Sequence, residues 1–215
     1  MIDFASNHTG AWSNLDGQPV DVWDEMMRLT LAIVAKTLFS ADVEGDAHEI
    51  GDALKGVIKI FERVAHPLAG LSLMLPTPRT IRIRLARRRI ERTINRIIVE
   101  RRASGEDCRD LLSMLLRAQD EDDGGVMNDK QVRDEAITLF LAGHETTANA
   151  LTWTWYLLAQ NPEVERKFHA EINSVLRGKL PTPDDLPKLE YTRRVFAEGM
   201  RLYPPGYLIG RTAIN

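Results

Sequence analysis

Ala142-Gly143-His144-Glu145-Thr146-Thr147 places four polar side chains inside a long apolar stretch. A glycine inside a helix costs about 1 kcal/mol relative to alanine. A buried carboxylate costs far more unless it is paired or protonated. Such costs are carried where a ligand needs room and a proton needs a route. Gly143 removes a side chain, which lets a flat ligand lie against the backbone. Thr146 stands four residues after Ala142, so its hydroxyl can bond that carbonyl or release it and open the helix locally. Glu145 beside it can relay protons from water. A polar kink satisfied by neighbouring helices is the plainer reading, and the pattern alone leaves both open.

Zinc hydrolysis is refused at the same place. His144-Glu145 begins H-E-x-x-H, but the second histidine would be residue 148, which is alanine. His8, His48, His66 and His169 form no ligand pair at helical spacing. A second constellation is Glu198-Gly199-Met200-Arg201, where an i, i+3 spacing puts carboxylate and guanidinium on one helix face. Most such pairs are surface decoration. Here Leu202-Tyr203-Pro204-Pro205 follows directly, and then Arg211.

The elements that must position these residues are helices. Val20 to Phe39 carries apolar residues at three- and four-residue spacings, with Asp21, Asp24 and Glu25 in the first turns. A second helix is expected from about Asp46 to Ala65, stopped by His66-Pro67. The linker Pro67 to Pro76 is apolar for a loop and is expected to pack on something greasy. Arg79 to Arg102 reads as a helix that Ser104-Gly105 ends, and Leu111 to Leu116 as a shorter one. From Asn128 a helical pattern runs unbroken to about Gln160, long enough at roughly 1.5 Å per residue to approach 50 Å. Its middle, Ala136 to Leu158, is largely apolar on all sides, so it is expected to be buried centrally. Pro162 opens a helix to about Leu176, and a last helix spans about Leu189 to Tyr203. Tyr207 to Arg211 fits one short strand. The fold class is mainly α.

Composition bounds the partners. The 215 residues are 44% hydrophobic and 27% charged, with a formal net charge of −3. Nothing in that balance demands nucleic acid or an anionic membrane. Arg79 to Arg102 holds ten arginines against Glu91 and Glu100, a local charge of +8. An aliphatic stripe runs through it, and it reads as a helix with one buried and one solvated basic face. The single cysteine, Cys108, excludes an internal disulfide and a multi-cysteine zinc site. No apolar run reaches the roughly 18 residues of a membrane span, and the start lacks a secretory pattern. A soluble, cytoplasmic protein is expected.

Ala142-Gly143-x-Glu145-Thr146-Thr147 in a long central helix resembles the oxygen-activation segment of the cytochrome P-450 superfamily. About fifty residues on, Glu198-x-x-Arg201 followed by Leu202-Tyr203-Pro204-Pro205 is similar to that family's Glu-x-x-Arg helix. Asn128 to Arg211 carries the strong match, and the helices from Val20 to Arg102 fit in order and length. The resemblance implies the helical core portion of that fold, incomplete, as one partial domain over 1–215. It implies a haem-dependent monooxygenase that inserts one oxygen atom of dioxygen into an apolar organic substrate. The cofactor would be haem (iron-protoporphyrin), and the electron donor a ferredoxin or flavin reductase. Ala142 and Gly143 would line the distal haem face. Thr146 would hydrogen-bond dioxygen, and Glu145 would help deliver protons. Glu198 and Arg201 would form a structural ion pair, and Arg211 would meet a haem propionate. Leu141, Gly206 and Tyr207 would border the substrate pocket. The Pro67 to Pro76 linker would resemble the loop over the substrate entrance.

The family's iron is held by a cysteine thiolate in a loop of the form F-x-x-G-x-R-x-C, downstream of Glu-x-x-Arg. Asn215 precedes any such loop. Cys108 precedes the central helix and lacks those flanks, so no metal ligand is assigned and it reads as a packing residue. The family's early Trp-x-x-x-Arg helix and N-terminal sheet are absent too, so both ends read as cut. This chain alone is therefore expected to be inactive. The rival reading is a non-enzymatic helical interaction or haem-carrying module derived from the family. No nucleic acid and no membrane is required by this segment.

Overall fold

A computed structural model describes residues 1–12, 17–40, 77–119, 124–209 and 211. The expected helix at Asp46–Ala65 and the linker Pro67–Pro76 lie outside the described residues. In chain order the elements are α1 (Ile2–Trp12), α2 (Val22–Phe39), α3 (Pro78–Ser104), α4 (Leu111–Arg117), α5 (Asp129–Gln160) and α6 (Pro162–Leu176). A 3-10 helix (Pro183–Lys188) and α7 (Glu190–Leu202) follow. The chain divides into a central unit, Leu31–Gly143, and a terminal unit, Met1–Thr30 with His144–Asn215. Among the described residues there is no sheet; strand pairing is limited to an isolated bridge, Gln119 to Val126. No described helix is long and apolar enough to cross a membrane.

Four-residue spacing builds the central core. Leu31, Ala35 and Phe39 of α2 meet Ile90, Ile94 and Ile98 of α3, Leu112 of α4, and Val132, Ala136 and Phe140 of α5. Each large side chain buried there contributes about 2 kcal/mol relative to exposure. Residues i and i+4 stack on one helix face, so each helix offers one ridge. The ends of α3 are set locally. Thr77 Oγ1 accepts from Thr80 N at 3.1 Å, and Pro78 occupies the first turn. Gly105 closes the helix at φ 63°, where a side chain is strained.

One polar cluster sits beside that core. The side chains of Arg101 and Asp110 are 10% and 3% exposed and pair bidentately, both contacts at 2.9 Å. Arg101 also donates to Ser113 Oγ at 2.8 Å and to the Phe39 carbonyl at 3.0 Å. Asp110 caps α4, accepting from Ser113 N at 2.9 Å. Burial pushes the Asp110 carboxyl up, but Arg101 and the Ser113 donors outweigh it and hold it at about 2.

The terminal unit is tied differently. Leu189 offers α7 no side-chain cap. Glu171 of α6 does that work, accepting from Tyr191 N and Thr192 N at 2.7 Å each and from Thr192 Oγ1 at 2.8 Å. A carboxylate at a helix N-terminus is favoured by the dipole as well. Trp23 Nε1 of α2 donates to Asn149 Oδ1 of α5 at 3.0 Å.

Helix bounds agree with the sequence pattern to within about two residues, with two corrections. α1 is unforeseen, because Ser6-Asn7-His8-Thr9-Gly10 is poor in helix formers. It is held by Glu25, which accepts from Trp12 Nε1 at 3.0 Å and lies 2.9 Å from His8 Nε2. The strand expected at Tyr207–Arg211 is absent among the described residues: 206–209 take no regular structure, and Tyr207, Leu208 and Ile209 are over 70% exposed. A strand is a pairing, and no described segment pairs with this one.

Removing either half of the buried pair leaves an uncompensated charge. Arg101→Met or Asp110→Ala is expected to cost about 3 kcal/mol in urea denaturation, and the double variant less than the sum. The Asp110 contribution is complete above pH 4. It is lost as pH falls through about 2, since the unfolded carboxyl then binds the proton first.

Candidate functional site

The residues with chemistry lie mainly on α5 and α7. α5 continues as regular helix through Gly143–Thr147, so Thr146 does not open it. Its covered ridge is Val132, Ala136, Phe140, His144 and Ala148, each 1% exposed or less. Ala142, Gly143, Thr146 and Thr147 are exposed, as is Leu139. The expectation of burial on all sides is therefore corrected. Apolar composition says a face can be covered, and only packing says which one is.

A Cβ built on Gly143 would meet Val34 Cγ2 of α2 at 3.4 Å, an ordinary van der Waals contact. A flat ligand can meet only its backbone. Leu141, expected to line a substrate pocket, is half-buried and packs on the central core.

Electrostatics separate the two titratable neighbours. His144 is 1% exposed, and burial lowers its pKa to about 4, so it is neutral at pH 7. Glu145 is half-buried, and burial raises its carboxyl above the ordinary range. A carboxyl shifted that way keeps its proton to a higher pH than an ordinary carboxylate. Thr152 and Thr154 turn their hydroxyls back to the carbonyls of Ala148 and Ala150, at 2.8 and 2.7 Å.

On α7, Arg201 donates from Nε and Nη2 to the two Glu198 oxygens, both at 2.7 Å. Pairing lowers the Glu198 carboxyl and raises Arg201. Both side chains are more than half exposed. Gly199 between them is buried, and a Cβ there would lie 2.8 Å from Thr154 Oγ1. This contact between α5 and α7 was not read from the sequence; its signal was a glycine inside an amphipathic helix. Trp153 of α5 stacks on Tyr203 at 4.1 Å and 5°. A cleft of about 380 Å³ lies beside them, walled by Leu157, Leu158, Val164 and Val195 and reached by Glu198. Gly206 and Tyr207 are exposed, as is Arg211.

The small exposed stripe Ala142, Gly143, Thr146 and Thr147 fits one side of a planar apolar cofactor such as haem. These 215 residues do not offer the axial thiolate: Cys108 is half-buried in the 105–110 turn near Arg101. Among the described residues no cluster of three metal-ligating side chains occurs.

A family model described as Cytochrome P450 matches residues 2–215. Cyclooctatin synthase of Streptomyces melanosporofaciens is 44% identical over 197 residues, covering 91% of this chain and 43% of that protein. Cyclooctat-9-en-7-ol 5-monooxygenase of the same organism is 42% identical, covering 94% and 44%. Pentalenene oxygenase of Streptomyces avermitilis is 38% identical, covering 91% and 43%. The crystal structure of the cytochrome P450DA heme domain superposes with a TM-score of 0.78 at 28% identity, covering 93% of this chain and 44% of that one. The chain spans less than half the length of these relatives.

Two outcomes follow from this geometry. Gly199→Ala is expected to destabilise by about 2 kcal/mol, through overpacking against a hydroxyl already bonded to Ala150. In a Thr154→Ala background the same change becomes neutral or stabilising, since alanine favours the helix. Urea titration of the four proteins checks this. For His144 the unfolded ring binds a proton below about 6.5 and the folded one only near 4. Stability is therefore full above pH 6.5 and falls by up to about 3 kcal/mol as pH drops to 4. His144→Gln should flatten that slope in a pH series of denaturation curves.

Proposed function

The chain belongs to the cytochrome P450 family, and from that premise we propose that it forms the oxygen-side portion of a haem-thiolate monooxygenase. The observation that carries this reading is α5 itself: small exposed residues at 142, 143, 146 and 147, with a half-buried Glu145 of raised pKa among them. Ala142 and the Gly143 backbone would lie against the haem in this reading, and Arg211 would meet a propionate. When bound, haem supplies an iron at which dioxygen is reduced by two electrons, one oxygen atom entering the substrate and the other leaving as water.

The work of the chain is positioning and proton supply. The Thr146 hydroxyl accepts a hydrogen bond from the proton route and donates one toward dioxygen. Glu145 holds a proton at its carboxyl and passes it on, its half-burial keeping bulk water from short-circuiting the route. Glu198 and Arg201 form a structural ion pair and act as neither acid nor base. The substrate in this reading is a largely apolar unsaturated carbocycle, as the relatives' names (cyclooctat-9-en-7-ol, pentalenene) describe for those proteins. Gly206 and Tyr207 border it. Electrons come from a ferredoxin or flavin reductase. The axial thiolate comes from outside these 215 residues, so the chain alone is inactive.

Haem titration of the chain, read as the reduced carbon-monoxide spectrum, is expected to show no thiolate-type band with or without Cys108→Ala. A band present in the chain and lost in Cys108→Ala overturns the assignment of the thiolate to outside residues. In a holoenzyme containing these residues, Glu145→Gln is expected to slow turnover by about 100-fold. Thr146→Ala is expected to divert most of the consumed oxygen from product to peroxide. Unchanged coupling in both variants would remove α5 from the reaction.

A further inference from the structure

The exposed face of α3 has no part in the chemistry above, yet it is the most charged surface of the chain. Within Pro78–Ser104 ten arginines stand against Glu91 and Glu100, while the whole chain carries −3. The covered stripe is Ile90, Ile94 and Ile98, with Arg101 turned inward to Asp110. Opposite that stripe, at three- and four-residue steps, stand Ile81, Leu85, Arg88, Arg92, Arg96 and Val99, all exposed. Ile81, Leu85 and Val99 are 46%, 49% and 61% exposed. The two acids lie off this line, Glu91 paired with Arg87 and Glu100 with Arg96. Three aliphatic side chains thus flank a run of arginines on a single outward face about 27 Å long at 1.5 Å per residue.

We propose that this face of α3 docks on an anionic lipid bilayer, the helix lying in the headgroup plane. Arginines there meet lipid phosphates, while Ile81, Leu85 and Val99 reach toward the acyl boundary. Nucleic acid would match the charge, but residues 78–104 hold no aromatic side chain on which a base could stack. An anionic lipid surface answers the charge along the whole face and the aliphatic residues at its two ends, with no complementary shape required. For a monooxygenase of apolar substrates, such docking would also place the protein where those substrates dissolve, though the binding itself requires no haem.

The test is cosedimentation of the chain with vesicles of phosphatidylglycerol and phosphatidylcholine, against phosphatidylcholine alone and a vesicle-free blank. Binding is expected only to the anionic vesicles and is expected to weaken as salt rises. Arg88→Gln with Arg92→Gln should lower affinity about 25-fold, at roughly fivefold per arginine. Leu85→Ser should lower it roughly tenfold, a loss that charge alone does not produce. Lys167→Gln with Lys179→Gln, the same charge change on exposed positions elsewhere, should leave it unchanged. Circular dichroism confirms that all variants keep their helix. Equal binding to both vesicle types, equal loss in the lysine control, or no effect of Leu85→Ser overturns the proposal. So does retention on duplex DNA or an acidic protein without vesicle binding.

Discussion

The buried pairing of Arg101 with Asp110 is the constraint on which the central unit depends. A desolvated ion pair recovers its cost only when its remaining donors and acceptors are also satisfied. Here they are: Arg101 reaches both carboxylate oxygens, the Ser113 hydroxyl and the Phe39 carbonyl. One guanidinium therefore joins the end of α2, the end of α3 and the start of α4. Its planar fork makes that possible, since an ammonium could not meet four acceptors in fixed directions. With those three ends set, the i, i+4 ridges of α2, α3 and α5 have one register in which Phe39, Ile94, Ile98 and Phe140 interlock.

Register matters because α5 carries polar residues on two sides of its axis. His144 belongs to the covered ridge, and its neutrality at pH 7 lets a polar ring occupy a position that is otherwise Ala, Phe or Val. Thr146 and Thr147 belong to the open side. Glu145 lies between, neither fully solvated nor fully dry, and that intermediate burial raises its carboxyl without forbidding its charge. A turn of the helix by one residue would bring Gly143 and Thr147, or Glu145 and Asn149, to the covered positions and expose the histidine.

What the sequence revealed divides along physical lines. Helix ends were readable because their causes are local: Gly105 at positive φ, Pro162 in a first turn, Pro204-Pro205 after α7. The mainly α class and the Ala142–Thr147 and Glu198–Arg201 motifs were readable for the same reason. The sidedness of α5 was not, since an all-round apolar helix has no preferred face until neighbours choose one. α1 was hidden because its helix is held by contacts to Glu25, thirteen or more residues away, against weak propensity. The strand at 207–211 failed for the converse reason: its composition suits a sheet, but pairing needs a second strand.

The last step concerns Glu198 and Arg201. Both are largely exposed, and exposed pairs contribute little to stability, so this pair does not hold α7 in place. Two other devices do. Glu171 closes the bare N-terminus of α7 from α6, and the absent side chain of Gly199 lets the helix come within van der Waals range of Thr154. α7 is thus positioned by a carboxylate at one end and a glycine in its middle, while its ion pair stands bidentate beside an apolar cleft walled by Leu157, Val164 and Val195. An arrangement that orders two charged side chains without needing them for its own packing is suited to receive another segment of chain. That is the structural role proposed for the pair, and it separates Glu198 and Arg201 from the acid–base work assigned to Glu145.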